Sequence, residues 1–437
     1  MDHCLPPDLA HYAQYRALPR PTLSGGSTRV DAGRFRLHYT LTGEDATDPT
    51  DEDDDGVPDA VTRVLSAMQQ AEAFYLAQGW PSLEDDNGYG GSEQLDVYLR
   101  SIDANGYAYP TTPADHDAVA ACYIEVDSGL TGTSGKLLES VAAHELHHCI
   151  QFAMTVETHA WMYESTATYE QYQAIESEEL ELLYGVLFQL RLAEPERALA
   201  ATGDRYEYAG MLFEKYWAER GGLSEARLIR LWEELRDHPD WKEAVDRAGL
   251  KEWGTPLEGV FLDYSAWNAF ACARDDGQHY GDEVIPCEVD VQVPITPLSV
   301  GEPFGLEHPR GHYTATYYSF QADGDTRPLR VRCNPPDEGM ALGIRLLSVD
   351  ADGVMLESAG GFGEAGEEPL AVLTQALDPA GSVILVSGST GEDPIDVSCV
   401  AQRVPEEKVG ACATAPGRSA ITALFAALVQ LLRRQRR

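Results

Sequence analysis

The stretch 136–154, KLLESVAAHELHHCIQFAM, constrains the fold more than any other part of the chain. Leu137, Leu138, Val141, Leu146, Ile150 and Phe152 recur at helical spacing, which predicts a buried helix over these residues. Inside it stand His144, Glu145, His147 and His148. Residues four apart share one helical face about 6 Å apart along the axis, so His144 and His148 offer two imidazoles to one point. Buried histidines without partners are costly, and this pattern gives them one. The HExxH spacing points to a zinc ion held by His144 and His148, with Glu145 placed to take a proton from the water that the ion activates. With 12 histidines in 437 residues, chance supplies about 0.03 such matches. His147 lies off the shared face and reads as a packing or supporting residue.

Two histidines leave a zinc site one protein ligand short. The metzincin pattern would continue with Gly and His at positions 151 and 154, where this chain has Gln151 and Met154. The leading candidate is Glu164 in WMYESTATYEQY, early in a second helix that starts near Trp161. Trp161, one turn earlier, is expected to lock that turn against the first helix. The competitors are Glu157 and His159, in the gap between the helices, and Glu170, turned about 240° from Glu164. Tyr206 and Tyr208 in DRYEYAG offer phenols for a developing oxyanion, although such pairs more often pack in a core.

A second cation site is expected at Asp51-Glu-Asp53-Asp-Asp55-Gly56-Val57-Pro58-Asp59. Carboxylates at alternate positions with a glycine at the sharp turn match the start of a calcium loop. Asp51, Asp53, Asp55 and Asp59 are the candidate ligands, and Thr62 stands where an EF-hand places its bidentate glutamate. The charge balance agrees with cation binding. Lys+Arg 32 against Asp+Glu 72 gives a net charge of −40, a field that repels nucleic acid and anionic lipid.

Eight cysteines without a CxxC pair favour disulfides and an oxidising compartment. The expected pairs are Cys272–Cys287, Cys333–Cys399 and Cys122–Cys149. The first twenty residues hold no apolar run that reads as a signal peptide, and no stretch of 18 apolar residues reads as a spanning helix.

The fold class expected is α+β. Residues 1–56 read as an irregular leader with one short strand at 34–41 and the acidic loop, and 57–177 as a zincin-like catalytic subdomain. Within the latter, a helix runs from Val57 to a stop at Gly79, followed by strands at 95–102 and 121–126 separated by Gly-, Asn- and Pro-rich loops. Residues 178–287 form a helical subdomain, 288–405 an all-β sandwich or jelly roll, and 406–437 a tail. The tail joins a small-residue cysteine segment, a short apolar run and arginines.

From about Phe35 to Asn268 the chain resembles a family of secreted zinc metalloproteases first defined in myxobacteria. The motifs that carry the resemblance are LHYT, DDDGVPDAV, the GW of AQGW, LDVYL, VAAHELHHCIQF, WMYESTATYE and YEYAGMLFEKYW. It implies a gluzincin-type zinc endopeptidase acting on polypeptide, with His144, His148 and Glu164 as ligands and Glu145 as the base. Two positions depart from related patterns: Ser165 replaces the usual glycine, and Thr168 stands where thermolysin-like enzymes place an aspartate. The group that orients a ligand histidine is therefore left unassigned. The tail is similar to the C-terminal sorting tails of myxobacterial surface proteins, which implies export and handling by a sorting machinery. Alternative readings are a zinc amidase acting on cell-wall substrates and a non-catalytic, calcium-stabilised surface-binding protein.

Overall fold

The computed structural model describes residues 19–111, 119–281, 292–309, 311–336, 341–363, 366–391 and 393–405. The Cys272–Cys287 pairing and the 406–437 tail lie outside the described residues. The architecture is α+β.

The chain first forms β1 (Thr28–Ala32) and β2 (Phe35–Tyr39), an antiparallel hairpin. Helix α1 (Asp59–Gln78) follows, buries Val61, Val64, Met68, Ala71 and Tyr75, and stops at Gly79 in the left-handed region. Next come β3 (Leu95–Arg100), β4 (Gly106–Thr111) and β5 (Ala121–Asp127). The five strands make one sheet of order β1-β2-β3-β5-β4. β2, β3 and β5 run parallel in the middle, and β1 and β4 are antiparallel edges. β3 and β5 are almost wholly buried, as their continuous apolar runs require.

Two features differ from expectation. The leader holds the expected strand as β2 and also β1, which was not read, and both belong to the central sheet. The segment read as a loop, GYAYPT, is β4; its Pro110 is tolerated because β4 pairs on one side only.

After β5 the chain becomes helical: α2 (Leu137–Phe152), α3 (Ala160–Ala174), α4 (Glu178–Ala193), α5 (Tyr206–Ala209), α6 (Met211–Glu219), α7 (Ala226–Asp237), α8 (Trp241–Trp253) and α9 (Leu257–Asn268). Helix α7 shows the rule behind the packing: Leu228, Leu231, Trp232 and Leu235 form its buried stripe. One apolar core runs without a break from the sheet through these helices. Among the described residues no helix is long and apolar enough to cross a membrane.

The last part is β6 (Ile295–Pro297), β7 (Pro303–His308), β8 (Thr314–Gln321), β9 (Leu329–Cys333), β10 (Leu342–Val349), β11 (Met355–Gly363), β12 (Leu370–Val372), β13 (Ser382–Ser389) and β14 (Ile395–Arg403). Sheets of order β11-β10-β13-β8-β6 and β12-β9-β14-β7 enclose a second core. They form the expected sandwich. Cys333–Cys399 staples β9 to β14 and Cys122–Cys149 staples β5 to α2, both as expected. β6, β7 and the glycine-rich edge strand β11 carry too weak an apolar pattern to be read from sequence. The strand β12 is short, only Leu370–Val372.

The sandwich is not a loose appendage. Gly343 and Gly388 leave the room that Leu262 and Phe261 of α9 occupy, and the Tyr317 hydroxyl donates to the Ser265 carbonyl at 2.9 Å. Asp263 of α9 pairs with Arg345 of β10 and, at 2.6 Å, with Arg220, and accepts from the Tyr216 hydroxyl at 3.0 Å. Replacing Asp263 by Ala should lower the unfolding free energy by about 2 kcal/mol, because it strands two arginines at a largely covered junction. Urea unfolding checks this; a midpoint equal to that of the unaltered protein would show that the junction is held by its apolar contacts alone.

Candidate metal centre

Helix α2 is buried along nearly its whole length, and its register on the sheet is pinned one residue beyond His148. There Cys149 is bonded to Cys122 of β5. Helix α3 begins at His159, whose Nδ1 accepts the Trp161 amide at 3.3 Å, so this residue is a cap. Tyr163 binds α3 to α2: its ring lies 5.7 Å from that of Phe152, and its hydroxyl donates to the Thr155 carbonyl at 2.7 Å. The aromatic partners of Trp161, expected to lock this turn, lie on other helices. Its ring packs edge-on against Phe213 of α6 and Trp241 of α8, partners too distant in sequence for a local reading to find.

This packing brings His144, His148 and Glu164 together, with one donor atom from each lying within 4.8 Å of the others. Glu164 Oε2 is 3.2 Å from His144 Nε2 and 3.7 Å from His148 Nε2. All three side chains are buried. Of the competitors, Glu157 is exposed, His159 is the cap, and Glu170 faces away among Trp80, Glu214 and Glu225.

Hydrogen bonding fixes which ring nitrogens face the centre. Gln151 Nε2 donates to the Tyr163 carbonyl at 3.0 Å, and a peptide carbonyl can only accept. Gln151 Oε1 is therefore the atom 2.7 Å from His148 Nδ1, which carries the proton. His148 Nε2, buried and without a hydrogen-bond partner, keeps its lone pair toward Glu164. In the same way Gln171 donates to Ser140 Oγ at 2.7 Å and sets its Oε1 2.5 Å from His144 Nδ1. Burial, then the neighbouring His148, pushes the His144 imidazole below its ordinary value, so it stays neutral. Two lone pairs and a carboxylate converge in a dry interior, and such a set fits a divalent cation.

Glu145, also buried, sits between the two histidines in sequence and lies against the first residue of β4. A Cβ at Gly106 would come 2.7 Å from Glu145 Oε1 and 2.8 Å from its Cγ. The edge strand thus runs beside this carboxylate. Tyr208 has its ring 6.0 Å from that of His144. Tyr206 is turned away, giving its hydroxyl to the Glu194 carbonyl at 2.9 Å and its ring to Arg197. His147 is a packing residue, held edge-on by Tyr75 and Trp80 and kept neutral by burial. Gln151, Gln171, Ser140 and Gly106 were missed from the sequence. Their signal is only positional: Gln151 is three residues past His148, and Gln171 is two helical turns past Glu164.

In the acidic loop, Asp51, Asp53 and Asp59 bring oxygens within 4.8 Å of one another. Asp55 stands apart from that trio, its Oδ1 accepting the Val57 amide at 2.8 Å. Gly56, with φ 87°, makes the turn and donates to Asp51 Oδ2 at 2.9 Å.

No protein-family model matches the chain, and the search of curated proteins gives no match. Solved structures give partial likenesses. The pre-peptidase C-terminal domain of a collagenase from Bacillus anthracis is 13% identical, with 25% of this chain and 95% of that one covered and a TM-score of 0.20. The structure of infectious bursal disease virus, Gx strain, is 15% identical over 23% of this chain and 28% of that one, with a TM-score of 0.18.

Behind Glu164 lies a buried acid with a testable titration. Ser165 Oγ donates to Glu214 Oε1 at 2.6 Å, Glu214 Oε2 has no hydrogen-bond partner, and burial pushes the group up to about 7. Between pH ~4.5 and 7 the unfolded chain releases this proton and the folded chain keeps it, so stability falls as pH rises, by about 3 kcal/mol. Glu214→Gln should raise the melting temperature at pH 8 and leave it nearly unchanged at pH 5. Equal shifts at both values would show that Glu214 does not titrate in this range.

Proposed function

We propose that the chain is an exported zinc-dependent endopeptidase of the gluzincin type. The observation that carries this reading is the convergence of His144, His148 and Glu164, with Glu145 next to His144 on the same helix. His144 and His148 would hold the ion through Nε2 and Glu164 through a carboxylate oxygen. Bound zinc supplies Lewis acidity, polarising the scissile carbonyl and making water acidic enough to attack near neutral pH.

The rest of the chemistry falls to this chain's side chains. Glu145 takes the proton of the attacking water and later returns it to the departing amine. Its burial keeps bulk water from competing for that proton. The edge strand β4, which among the described residues pairs only with β5 and passes Glu145 at Gly106, suits an extended polypeptide laid alongside. Tyr208 is the phenol on the side of the oxyanion, and Tyr206 props the loop behind it. The Cys122–Cys149 and Cys333–Cys399 disulfides among the described residues agree with an oxidising destination and so with export. The resemblance to secreted myxobacterial zinc proteases supports the same reading, as does the tail sequence. In the acidic loop we propose a structural calcium ion held by Asp51, Asp53 and Asp59, with Asp55 shaping the turn.

Glu145→Gln should abolish hydrolysis of unfolded protein while the purified chain still carries close to one zinc. Peptidase activity near that of the unaltered protein would remove Glu145 from the base role. Cleavage confined to peptidoglycan fragments would favour the amidase reading, and calcium without zinc would favour the binding-protein reading. Glu164→Ala should lose most of the bound zinc and Glu170→Ala little, as read by metal analysis; the reverse would displace Glu164 from the ligand set. Chelating calcium should lower the melting temperature, and Asp53→Ala should reproduce that drop without a further effect of chelator. A melting temperature indifferent to chelation sinks the calcium proposal.

A further inference from the structure

The ligand set of this centre is ordinary for its spacing, but its supports are not. A ligand histidine is commonly held by a carboxylate through its second nitrogen. Here the position four residues past Glu164, where a carboxylate would stand, is Thr168, whose hydroxyl is buried without a hydrogen-bond partner. Both histidines are instead met by amides. Gln171 Oε1 is 2.5 Å from His144 Nδ1, and Gln151 Oε1 is 2.7 Å from His148 Nδ1.

Resting on the zinc reading above, we infer that Gln151 and Gln171 are the positioning residues of the metal centre. They are two neutral amides that fix both imidazoles in the Nδ1–H form and leave the ion's positive charge uncancelled. Three features support this. First, each amide has its other end tied, Gln151 by a carbonyl that can only accept and Gln171 by a serine hydroxyl. Gln151 donates to the carbonyl of Tyr163, the residue before Glu164, and Gln171 donates to Ser140 Oγ, which bonds the Tyr184 hydroxyl at 3.1 Å. Second, the two amides cross-link α2 and α3 in opposite senses. Gln151 belongs to α2 and reaches the backbone beside Glu164, while Gln171 belongs to α3 and reaches His144. Each glutamine therefore spans one histidine and the helix of the carboxylate ligand, so the distance between ligands is set by side chains that do not touch the ion. Third, the charges differ from those of a carboxylate-supported centre. Two neutral imidazoles and one carboxylate leave a divalent ion with one net positive charge, whereas two supporting carboxylates would carry the sum to minus one. A centre kept positive withdraws electrons more strongly from a bound carbonyl or water, and holds its ion less tightly.

The test uses the full chain and three forms of residue 171: the natural glutamine, Gln171→Leu and Gln171→Glu. Zinc affinity is measured by competition with a chromophoric chelator, and the ligand field by the visible absorption of the cobalt(II)-loaded protein. Gln171→Leu should weaken zinc binding 10- to 100-fold and alter the cobalt bands. Gln171→Glu should restore the bands and bind zinc more tightly than the natural residue. If Gln171→Leu fails to fold, Ser140→Ala, which frees the amide to turn, should weaken zinc binding in the same direction by a smaller factor. One zinc in the unaltered protein, with affinity and cobalt bands indifferent to both Gln171→Leu and Ser140→Ala, would overturn this inference and leave the zinc reading standing. No zinc in the unaltered protein would overturn both.

Discussion

Two imidazoles and a carboxylate face one another in the interior, with one donor atom from each within 4.8 Å of the others, and such a set fits a divalent cation. Much of the surrounding structure serves to keep them there. The face of α2 that carries His144 and His148 has to meet the face of α3 that carries Glu164, and neither helix could hold that register alone. Cys149–Cys122 ties α2 to the central strand β5. Closing the 27-residue separation between these cysteines contributes about 3.5 kcal/mol in the loop-entropy account. Tyr163 seals α2 to α3, and Trp161 seals α3 to α6 and α8. The central sheet, the helical region and, through Asp263 and α9, the β-sandwich are thus connected to one pair of helices.

The grouping of His144, His148 and Glu164 was legible because helix geometry dictates spacing. A helix allows two imidazoles to converge only three or four residues apart, so His144 and His148 announce themselves, and the second helix follows from the need for a third ligand. The supporting groups were not legible. An amide that orients a ring needs only to accept a hydrogen bond, and nothing about Gln151 or Gln171 distinguishes them from surface glutamines until two helices are placed side by side. Trp161 shows the same limit: its place early in α3 is a local fact, but its partners lie some fifty and eighty residues away. In the fold, α1 and the buried strands β3 and β5 could be read from apolar runs. The edge strands β1, β4 and β11 could not, because an edge position relaxes the demand for apolar residues and admits Pro110 and the glycines of β11.

The acidity of the chain has a different meaning at the surface and in the interior. At the surface it is a solvated field, screened by salt, that concentrates divalent cations near sites such as the 51–59 loop. In the interior each carboxyl must find a cation, a donor or a proton. Glu139 finds Arg63 at 2.8 Å, and Asp263 finds Arg220 and Arg345. Glu225 is met by the Tyr169 hydroxyl at 3.1 Å, yet burial still raises its pKa.

Helix α3 carries this contrast within two turns. Glu164 and Glu170 are the same residue type, both buried, six positions apart on one helix. Glu164 looks toward two imidazoles, with its Oε2 3.2 Å from His144 Nε2 and 3.7 Å from His148 Nε2. Glu170 looks toward the indole of Trp80 and the carboxyls of Glu225 and Glu214; burial and then Glu225 drive its pKa far up, so it keeps its proton. A rotation of α3 by about a third of a turn, with a shift of about 9 Å along its axis, would put Glu170 where Glu164 now stands. The carboxyl presented to the histidines would then be another one, and the bond from Gln151 to the backbone beside Glu164 would be lost. Which carboxyl faces the histidines is therefore a property of helix rotation, set by Tyr163 on one side of α3 and Trp161 on the other, and not of the glutamate itself.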